Sequence, residues 1–357
     1  MSDATAEIWI LGATGRTGRD IARLLAAQGL PPVLVGRDRA RLQAAADALP
    51  GGARVVIAPD LPAMADAIRR ERPAVVVHTA GPFARTATPI LRACLPASSY
   101  LDLANDVVAA EAVLALHDEA QQAGRTVVTG AGFGVVATEA PIAALMADRP
   151  APRAVRVDAI ASLATEAGAL GEALAATIVE GVPEGGRRIT GGRLVRAGVG
   201  AAPLRLTLPD GGVVTTGAWP AGDLLAVART SGAQEVVAAT TAVPTGRAIR
   251  AVLPLVGPLL RLRPLQRLAI RRLAAVRLPD RPRPRAHSWG HARAEWADGT
   301  VREAWLRTGD AGEFTAAVAA AVAARIARGA ALPGAHTPVA AVGLDLVTEA
   351  GGELLLP

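Results

Sequence analysis

The chain has 357 residues and a formal charge of +6, and 51% of its residues are hydrophobic while only 3% are aromatic. This length predicts two domains with aliphatic cores. All 38 basic residues are arginines, as in proteins encoded by GC-rich bacterial genomes, and this raises the sequence pI to about 11.0. Because the net charge is modest and no aromatic residues are interleaved with the arginines, the composition argues against a nucleic-acid partner.

Residue types that are rare or missing exclude several chemistries. The single cysteine, Cys94, leaves no internal disulfide and no thiolate metal cluster. Without lysine there is no Schiff-base lysine, no phosphate-loop lysine and no Tyr-x-x-x-Lys pair of the short-chain dehydrogenase type. The N-terminus lacks a signal-peptide pattern and no apolar run reaches the ~18 residues of a membrane span, so we expect a cytoplasmic protein.

A glycine-rich turn stands near the start of the chain. The apolar run at 8–11 predicts a strand, and apolar residues recur at helical spacing from Ile21, so the turn joins a strand to a helix. In a dinucleotide-binding fold, Gly12 permits the tight turn, Gly15 lets the backbone approach the pyrophosphate, and Gly18 lets the helix pack closely on the sheet. The cofactor-binding residues predicted in this turn are Gly12, Thr14, Gly15, Arg16, Thr17 and Gly18.

The tip of the second predicted strand, at 32–37, indicates which dinucleotide binds. In this fold an acidic residue there holds the 2′-hydroxyl of NAD, whereas an arginine suits the 2′-phosphate of NADP. The tip is Gly36-Arg37, which favours NADP(H), while Asp38 keeps NAD(H) open as the alternative. Asp60, after the third predicted strand, is expected to border the adenine.

Strands and helices alternate up to residue 134, which predicts an α/β domain with a Rossmann-like, doubly wound parallel sheet. The predicted strands are 8–11, 32–37, 54–58, 74–78, 99–103 and 125–129, and helices are predicted at 107–122, 138–146 and 338–348. Strands predicted at 74–78 and 125–129 end in turns that contain glycine, and ligands bind at the carboxyl ends of such strands. We therefore expect the nicotinamide beside these two turns. The residues predicted to contact it are Ala80, Gly81, Pro82, Phe83, Gly132 and Phe133.

The pattern changes in the second half of the chain, where alternating strands flank Asp-Gly turns. Antiparallel hairpins are predicted at 204–219 and 287–307, with a helix at 168–180 before them, so this half is expected to be α+β with an antiparallel sheet. The predicted domains are an NADP(H)-binding Rossmann domain at 1–147, an antiparallel α+β substrate or dimerisation domain at 148–310, and C-terminal helices at 311–357 that return to the Rossmann domain.

The segment 248–278 is unusual because aliphatic residues alternate with arginines and are interrupted by three prolines. It predicts either an amphipathic lid or membrane-surface patch that serves a lipophilic substrate, or a pair of short helices that cover the domain or form a dimer face. The prolines favour the second interpretation, because they interrupt a long helix lying on a membrane. A homodimer and a peripheral membrane contact through 248–278 both stay open as partners, besides a small-molecule or lipid-like substrate.

Several motifs together resemble the saccharopine dehydrogenase-like family. They are GATGRTG at 12–18, VGRDRARL at 35–42, HTAGPF at 78–83, YLDLAND at 100–106, GAGFG at 130–134 and GAHTPVAAVGLDLV at 334–347. The resemblance implies a Rossmann domain that binds NADP(H), an antiparallel second domain and NADPH-dependent reduction. Relatives reduce imines, as in saccharopine formation, or C=C bonds, as in trans-acting enoyl reductases of lipid synthesis. They usually follow YxDL with a Gly-Glu turn, whereas this chain has Ala104-Asn105-Asp106, which implies a different substrate.

Candidate proton donors lie on two predicted strands. Tyr100 and Asp102 share one face of the first, with a structural role for Tyr100 as the alternative. Alternation also places His287 and His291 on one face of a later strand, where a histidine suits general acid chemistry near neutral pH unless that face is simply solvated. Two histidines four residues apart on a strand are too distant to chelate a metal by themselves, so no metal is expected.

The sequence therefore predicts an NADPH-dependent oxidoreductase that reduces a C=N or C=C bond of a small or lipophilic metabolite. The alternative is a non-catalytic NADPH-binding protein that senses redox state or stabilises a complex, since the chain lacks a conventional catalytic pair. Replacing Arg37 with alanine is expected to remove most of the preference for NADPH. Replacing His287 or His291 is expected to reduce turnover without unfolding the protein.

Overall fold

A computed structural model describes residues 7–147, 149–164, 168–169, 172–243, 246 and 259–357. The chain divides into two compact units, which are treated separately below. The first consists of the residues up to Val136 together with Gly312–Gly351, and the second of Ala137–Ala311 together with Gly352–Pro357. The division thus falls after Val136, before the predicted boundary at 147, and groups most of the C-terminal segment with the first unit.

Helices and strands alternate through the first half of the chain. In order they are β1 (Ile8–Leu11), α1 (Arg16–Ala27), β2 (Val33–Gly36), α2 (Arg39–Asp47), β3 (Val55–Ile57), α3 (Leu61–Glu71), β4 (Val75–His78), α4 (Phe83–Cys94), β5 (Ser99–Asp102), α5 (Val107–Leu114), α6 (His117–Gln122), β6 (Thr126–Val128) and α7 (Phe133–Met146).

Strands dominate the second half. In order its elements are β7 (Ala154–Ile160), β8 (Gly168–Ala169), α8 (Glu172–Glu184), β9 (Gly186–Thr190), β10 (Arg193–Ala197), β11 (Leu204–Thr207), β12 (Val213–Ala218), α9 (Asp223–Ser231), β13 (Glu235–Thr240), α10 (Arg263–Ala274), β14 (Arg277–Leu278), β15 (Ser288–Glu295), β16 (Val301–Thr308), α11 (Ala311–Ala327), β17 (Gly334–His336), α12 (Pro338–Val342), α13 (Leu346–Glu349) and β18 (Glu353–Leu355).

The first unit is built on a seven-stranded parallel sheet in the order β17-β6-β5-β4-β1-β2-β3. Strands β1, β2 and β4 are continuous buried runs, as expected for a parallel sheet that is covered on both faces. The strand order reverses beside β1, and open α/β sheets bind ligands at such a point. The predicted Rossmann-like doubly wound sheet is confirmed, and β17 adds a parallel edge strand that was not predicted.

The second unit contains a nine-stranded sheet in the order β10-β9-β13-β7-β15-β16-β18, with β12 paired to both β11 and β13. The predicted hairpins β11–β12 and β15–β16 are confirmed. Strands β7 and β13 run parallel to each other, so the sheet is mostly rather than wholly antiparallel. One face of it packs on aliphatic side chains of α7 and α9, among them Ile142, Leu145, Leu224 and Val227.

Gly290 allows α7 to approach the centre of this sheet. A Cβ at Gly290 would lie only 1.7 Å from the carbonyl oxygen of Ala137 and 2.6 Å from its carbonyl carbon. Any side chain at this position of β15 would therefore force the helix backbone away from the sheet.

Several predicted element bounds differ from the structure. The helix expected at 107–122 is divided into α5 and α6, and the helix expected at 168–180 is preceded by the short strand β8. Helix α7 begins at Phe133, before the predicted start at 138. Gly343, with φ of +91°, ends α12 and divides the helix expected at 338–348. Residues 248–258 of the arginine-rich segment lie outside the described part. Within the described part no helix is long and apolar enough to cross a membrane.

Candidate functional site

The turn after β1 has the geometry of a dinucleotide-binding turn. Gly12 has φ of +81°, a conformation that favours glycine, and a Cβ there would lie 2.7 Å from the hydroxyl oxygen of Thr79. A Cβ at Gly18 would lie 2.6 Å from the carbonyl oxygen of Gly12, because α1 packs directly against the turn. The local backbone therefore requires glycine at both positions.

The start of α1 suits an anion. Gly15 precedes the helix, no side chain among the described residues caps it, and its first turn has no acidic residue. The positive end of the helix dipole and the backbone N–H groups of the first turn are therefore available to a pyrophosphate. Gly15 and Arg16 are exposed here, and Thr14 and Thr17 are half-buried. The turn is held to the helix by Arg19, which donates from Nη1 to the carbonyl oxygen of Thr14 (2.9 Å).

The tip of β2 separates the roles of Arg37 and Asp38. Asp38 caps α2, because its Oδ1 accepts a hydrogen bond from the backbone N–H of Arg41 (3.0 Å). Arg37 remains exposed beside it. The carboxylate that would favour NAD thus has a structural partner, whereas the guanidinium that would pair with a 2′-phosphate is accessible.

Asp60 occupies the equivalent capping position of the next helix. Its Oδ1 accepts a hydrogen bond from the backbone N–H of Ala63 (2.9 Å) at the start of α3. A contact between Asp60 and the adenine stays a prediction, since the carboxylate is already explained by the cap.

Thr86 organises the turn after β4. Its hydroxyl oxygen lies 3.0 and 3.1 Å from the carbonyl oxygens of Ala80 and Pro82, and 2.9 Å from Nε2 of His78. Burial lowers the pKa of His78 to about 3, so the ring is neutral and structural at physiological pH. The turn residues Ala80, Gly81, Pro82 and Phe83 are half-buried and so partly accessible at the carboxyl end of β4.

Tyr100 and Asp102 form a fully buried pair. Oδ1 of Asp102 accepts hydrogen bonds from the backbone N–H groups of Ala104 and Gly130, both at 3.0 Å. The hydroxyl of Thr129 donates to the same oxygen (2.9 Å), and the Tyr100 hydroxyl donates to Oδ2 (2.9 Å). Burial raises the pKa of Asp102 in spite of these donors, and it raises that of Tyr100 as well. The geometry favours a structural role for both residues, which fix the turn after β6 to the end of β5.

The turn between β6 and α7 uses its glycines for packing. A Cβ at Gly132 would lie 2.7 Å from Cγ2 of Thr315 on α11, and a Cβ at Gly134 would lie 2.4 Å from Nδ2 of Asn105. The Thr315 hydroxyl also accepts a hydrogen bond from the backbone N–H of Phe133 (3.0 Å). The expected contact of Gly132 and Phe133 with the nicotinamide stays a prediction, because the protein itself fills the space beside this glycine.

In the second unit, a buried polar network surrounds Asp158. Asp158 on β7 lies directly opposite His291 on β15, and the exposed fractions of the two residues are 0% and 1%. The carboxylate accepts hydrogen bonds from Nδ1 of His291 (3.0 Å) and from the Thr216 hydroxyl (2.6 Å). The Arg156 guanidinium donates to it at 2.9 Å. Burial alone would raise the pKa of Asp158, but these donors and the charge of Arg156 hold it below its usual value.

His291 is held in one orientation by this network. Its Nε2 has no hydrogen-bond partner among the residues that the structure describes, and Oε2 of Glu303 lies 3.7 Å away. The ring centroid lies 4.3 Å from that of Trp305. The expectation of a solvated face is wrong, because His291 is buried. An imidazole fixed through Nδ1, with Nε2 unpartnered, is an arrangement that can donate or accept a proton.

Comparison with known proteins identifies the first unit. The family model described as the saccharopine dehydrogenase NADP binding domain matches residues 8–128. These residues are similar to that NADP-binding domain. The chain therefore binds NADP(H), in agreement with the prediction made from Arg37.

A solved structure extends the fold likeness to both units of the chain. The apo saccharopine dehydrogenase (L-Glu forming) from Saccharomyces cerevisiae has a TM-score of 0.60 and 11% identity, over 98% of this chain and 100% of the yeast chain. An oxidoreductase of the short chain dehydrogenase/reductase family from Burkholderia thailandensis matches only 35% of this chain, with a TM-score of 0.30, 21% identity and 68% of its own length covered. The serine dehydrogenase from Escherichia coli has a TM-score of 0.30 and 15% identity, over 34% of this chain and 80% of its own. No curated protein matches the sequence.

Beyond the NADP-binding domain, sequence reasoning missed most of the polar network. It singled out His291 but not Asp158, Arg156 or Thr216. A carboxylate inside the apolar strand at 154–160 is the signal that could have revealed the network, since a buried acid needs a partner. His287 is half-buried with its ring centroid 5.9 Å from that of Trp289. Within the described residues, no group of His, Cys, Asp and Glu side chains could hold a metal ion.

Asp223 is a second buried acid of this unit that the sequence analysis did not identify. It is the first residue of α9 and is 2% exposed. Its Oδ2 lies 3.5 Å from the Thr138 hydroxyl, and its Oδ1 has no hydrogen-bond partner among the described residues. Burial raises the pKa of Asp223 to about 7, so much of this carboxyl is protonated at neutral pH.

Proposed function

We propose that the chain is an NADPH-dependent reductase of a C=N or C=C bond in a small or lipophilic metabolite. The observation that carries this proposal is the NADP-binding turn after β1. Its glycines at 12 and 18 leave no room for side chains, the start of α1 is uncapped, and Arg37 is exposed where a 2′-phosphate would lie. NADPH binding is the first requirement of such a reductase, and the residues fit it.

NADPH would supply a hydride, and the protein must hold the acceptor, exclude water and deliver a proton. We propose His291 as the proton donor. Its Nδ1 is fixed by Asp158, and its Nε2 makes no hydrogen bond within the described part of the chain. Asp158 then acts as a positioning residue, because its carboxylate holds one orientation of the ring.

The test begins with binding and continues with turnover. Calorimetry should show tighter binding of NADPH than of NADH, and absorbance should report NADPH consumption across a panel of imines, enones and ketones. Once a substrate is found, His291→Gln is expected to lower kcat by about 10²- to 10⁴-fold, the range for loss of a general acid.

His287→Gln is the matched comparison, since His287 stands at the start of the same predicted face but outside the Asp158 network. A larger loss of kcat in this variant than in His291→Gln would identify His287 as the proton donor instead. Binding of NADPH without consumption across the whole panel would overturn the reductase proposal and favour the non-catalytic NADPH sensor.

A further inference from the structure

Helix α10 presents leucines to solvent. It contacts α8, and its half-buried residues Ala269, Ile270 and Leu273 lie along one side. Leu265 and Leu268 are 42% and 52% exposed. They are three residues apart, so their side chains are neighbours on the helix surface.

The exposed leucines continue beyond both ends of the helix. Leu259 and Leu262 precede α10 with exposed fractions of 54% and 55%, and Val276 follows it with 46%. Single exposed apolar residues are normal on a protein surface, whereas a cluster marks a binding surface. We call the five residues Leu259, Leu262, Leu265, Leu268 and Val276 the leucine patch.

Arginines are frequent along the stretch that carries the leucine patch. Between residues 259 and 279 the sequence has six arginines and no Asp or Glu. Arg267, Arg271 and Arg272 are exposed and form no ion pair with a residue that the structure describes. This stretch is therefore both apolar and basic.

We propose that the leucine patch and its arginines bind the surface of an anionic lipid bilayer. An anionic bilayer can bind the leucines and the arginines at the same time, because leucines enter the boundary of the acyl chains while arginines contact phosphate headgroups. A second copy of the chain placed symmetrically on this face would bring the two sets of arginines together and be repelled. A nucleic acid would pair with the arginines but leave the leucines in water.

Proline does not prevent α10 from lying in such an interface. Pro264 stands in the first turn of the helix, where a missing backbone N–H is tolerated. The remaining ten residues of α10 contain no proline. The sequence objection to a membrane-lying helix therefore does not apply to α10.

The experiment is sedimentation of the full-length protein with vesicles of phosphatidylglycerol and phosphatidylcholine, compared with vesicles of phosphatidylcholine alone. We expect binding to the anionic vesicles, and weaker binding at high salt because the arginine contribution is screened. The triple change Arg267→Gln, Arg271→Gln and Arg272→Gln should lower the partition coefficient by about 100-fold, at about fivefold for each arginine. The double change Leu265→Ser and Leu268→Ser should lower it by about tenfold or more.

Matched controls separate this surface from general charge and hydrophobicity. In the first control, the exposed arginines 188, 196 and 302 are changed together to glutamine, which lowers the net charge by the same amount as the triple change on α10. The second control is Leu332→Ser, because Leu332 is 56% exposed but lies outside the leucine patch. Both controls should bind vesicles as the unchanged protein does. Equal binding by all variants, or no binding to anionic vesicles, would overturn the proposal. The oligomeric state without vesicles is a further test. If the unchanged protein is a dimer and the double leucine variant a monomer, the proposal is overturned and the leucine patch is a dimer interface.

Discussion

Asp223 provides a test of the electrostatics of the second unit. The folded environment raises its pKa from an ordinary value of 3.8 to about 7, because the carboxyl is fully buried near the carboxylate of Asp158. The folded state therefore holds a proton that the unfolded state releases. The resulting stability is present in full below pH ~4 and is lost as the pH rises to about 7.

The change Asp223→Asn removes this titration while keeping the shape of the side chain. The difference between the two pKa values corresponds to about 4 kcal/mol. Between about pH 5 and about pH 8, the wild-type protein should lose about 3 kcal/mol of stability relative to the Asn variant. Groups distant from Asp223 titrate alike in both proteins, so their contributions cancel in the comparison.

Urea unfolding followed by tryptophan fluorescence is a suitable assay. Four of the five tryptophans, at 219, 289, 296 and 305, belong to the second unit, so the signal reports mainly on the unit that contains Asp223. Asp280→Asn changes an exposed acid of the same unit and is the control for the substitution itself. A pH-independent difference between the wild-type protein and Asp223→Asn would refute the reasoning, because it would show that this carboxyl titrates as it does in water.

Three further predictions concern the cofactor turn and the central sheet. Arg37→Ala should weaken NADPH binding by about 10- to 100-fold in calorimetry and leave NADH binding unchanged; an equal loss for both dinucleotides would contradict contact with the 2′-phosphate. Gly290→Ala should destabilise the protein by more than about 3 kcal/mol, since the new Cβ would overlap a backbone carbonyl, whereas Gly309→Ala, with its nearest neighbour at 3.8 Å, should unfold with an almost unchanged urea midpoint. Asp158→Asn should cost about 1–3 kcal/mol at neutral pH by removing the charged acceptor of His291. Because the folded pKa of Asp158 is lowered, this cost should shrink as the pH falls below ~4, and a cost that grows on acidification would contradict the assigned direction.

The first unit could be predicted from sequence because its signals are local. Each strand from β1 to β6 is a short apolar run that ends at glycine, proline or a polar residue, and the predicted and observed bounds agree to within about two residues. The glycines of the turn after β1 were an equally local signal. The structure shows why glycine is required there, since Gly12 has a positive φ and Gly18 has no space for a Cβ. Strand β17 was not predicted, because its three residues gain a partner only from β6, which lies about 200 residues earlier in the chain.

The second unit was predicted less completely because its determinants are contacts between distant residues. The hairpins carried their own Asp-Gly turns, but β7, β9 and β13 are joined by pairings that no local pattern encodes. His291 was selected by its position on an alternating strand. Its partner Asp158 precedes it by 133 residues, so the interaction that orients the ring became visible only in the folded sheet.

The glycines after β6 show why a shared motif does not by itself locate a ligand. The motif GAGFG predicted glycines that leave space for the nicotinamide. In the structure, Thr315 occupies the space beside Gly132, and Asn105 occupies the space beside Gly134. Asn105 lies in the stretch Ala104-Asn105-Asp106, where the sequence departs from the Gly-Glu turn that the family resemblance leads us to expect, and its side chain lies beside Gly134 within the same unit. An Asn105→Ala variant should therefore lose stability and retain NADPH binding. Unchanged stability together with an altered affinity for NADPH would instead indicate that Asn105 contacts the cofactor.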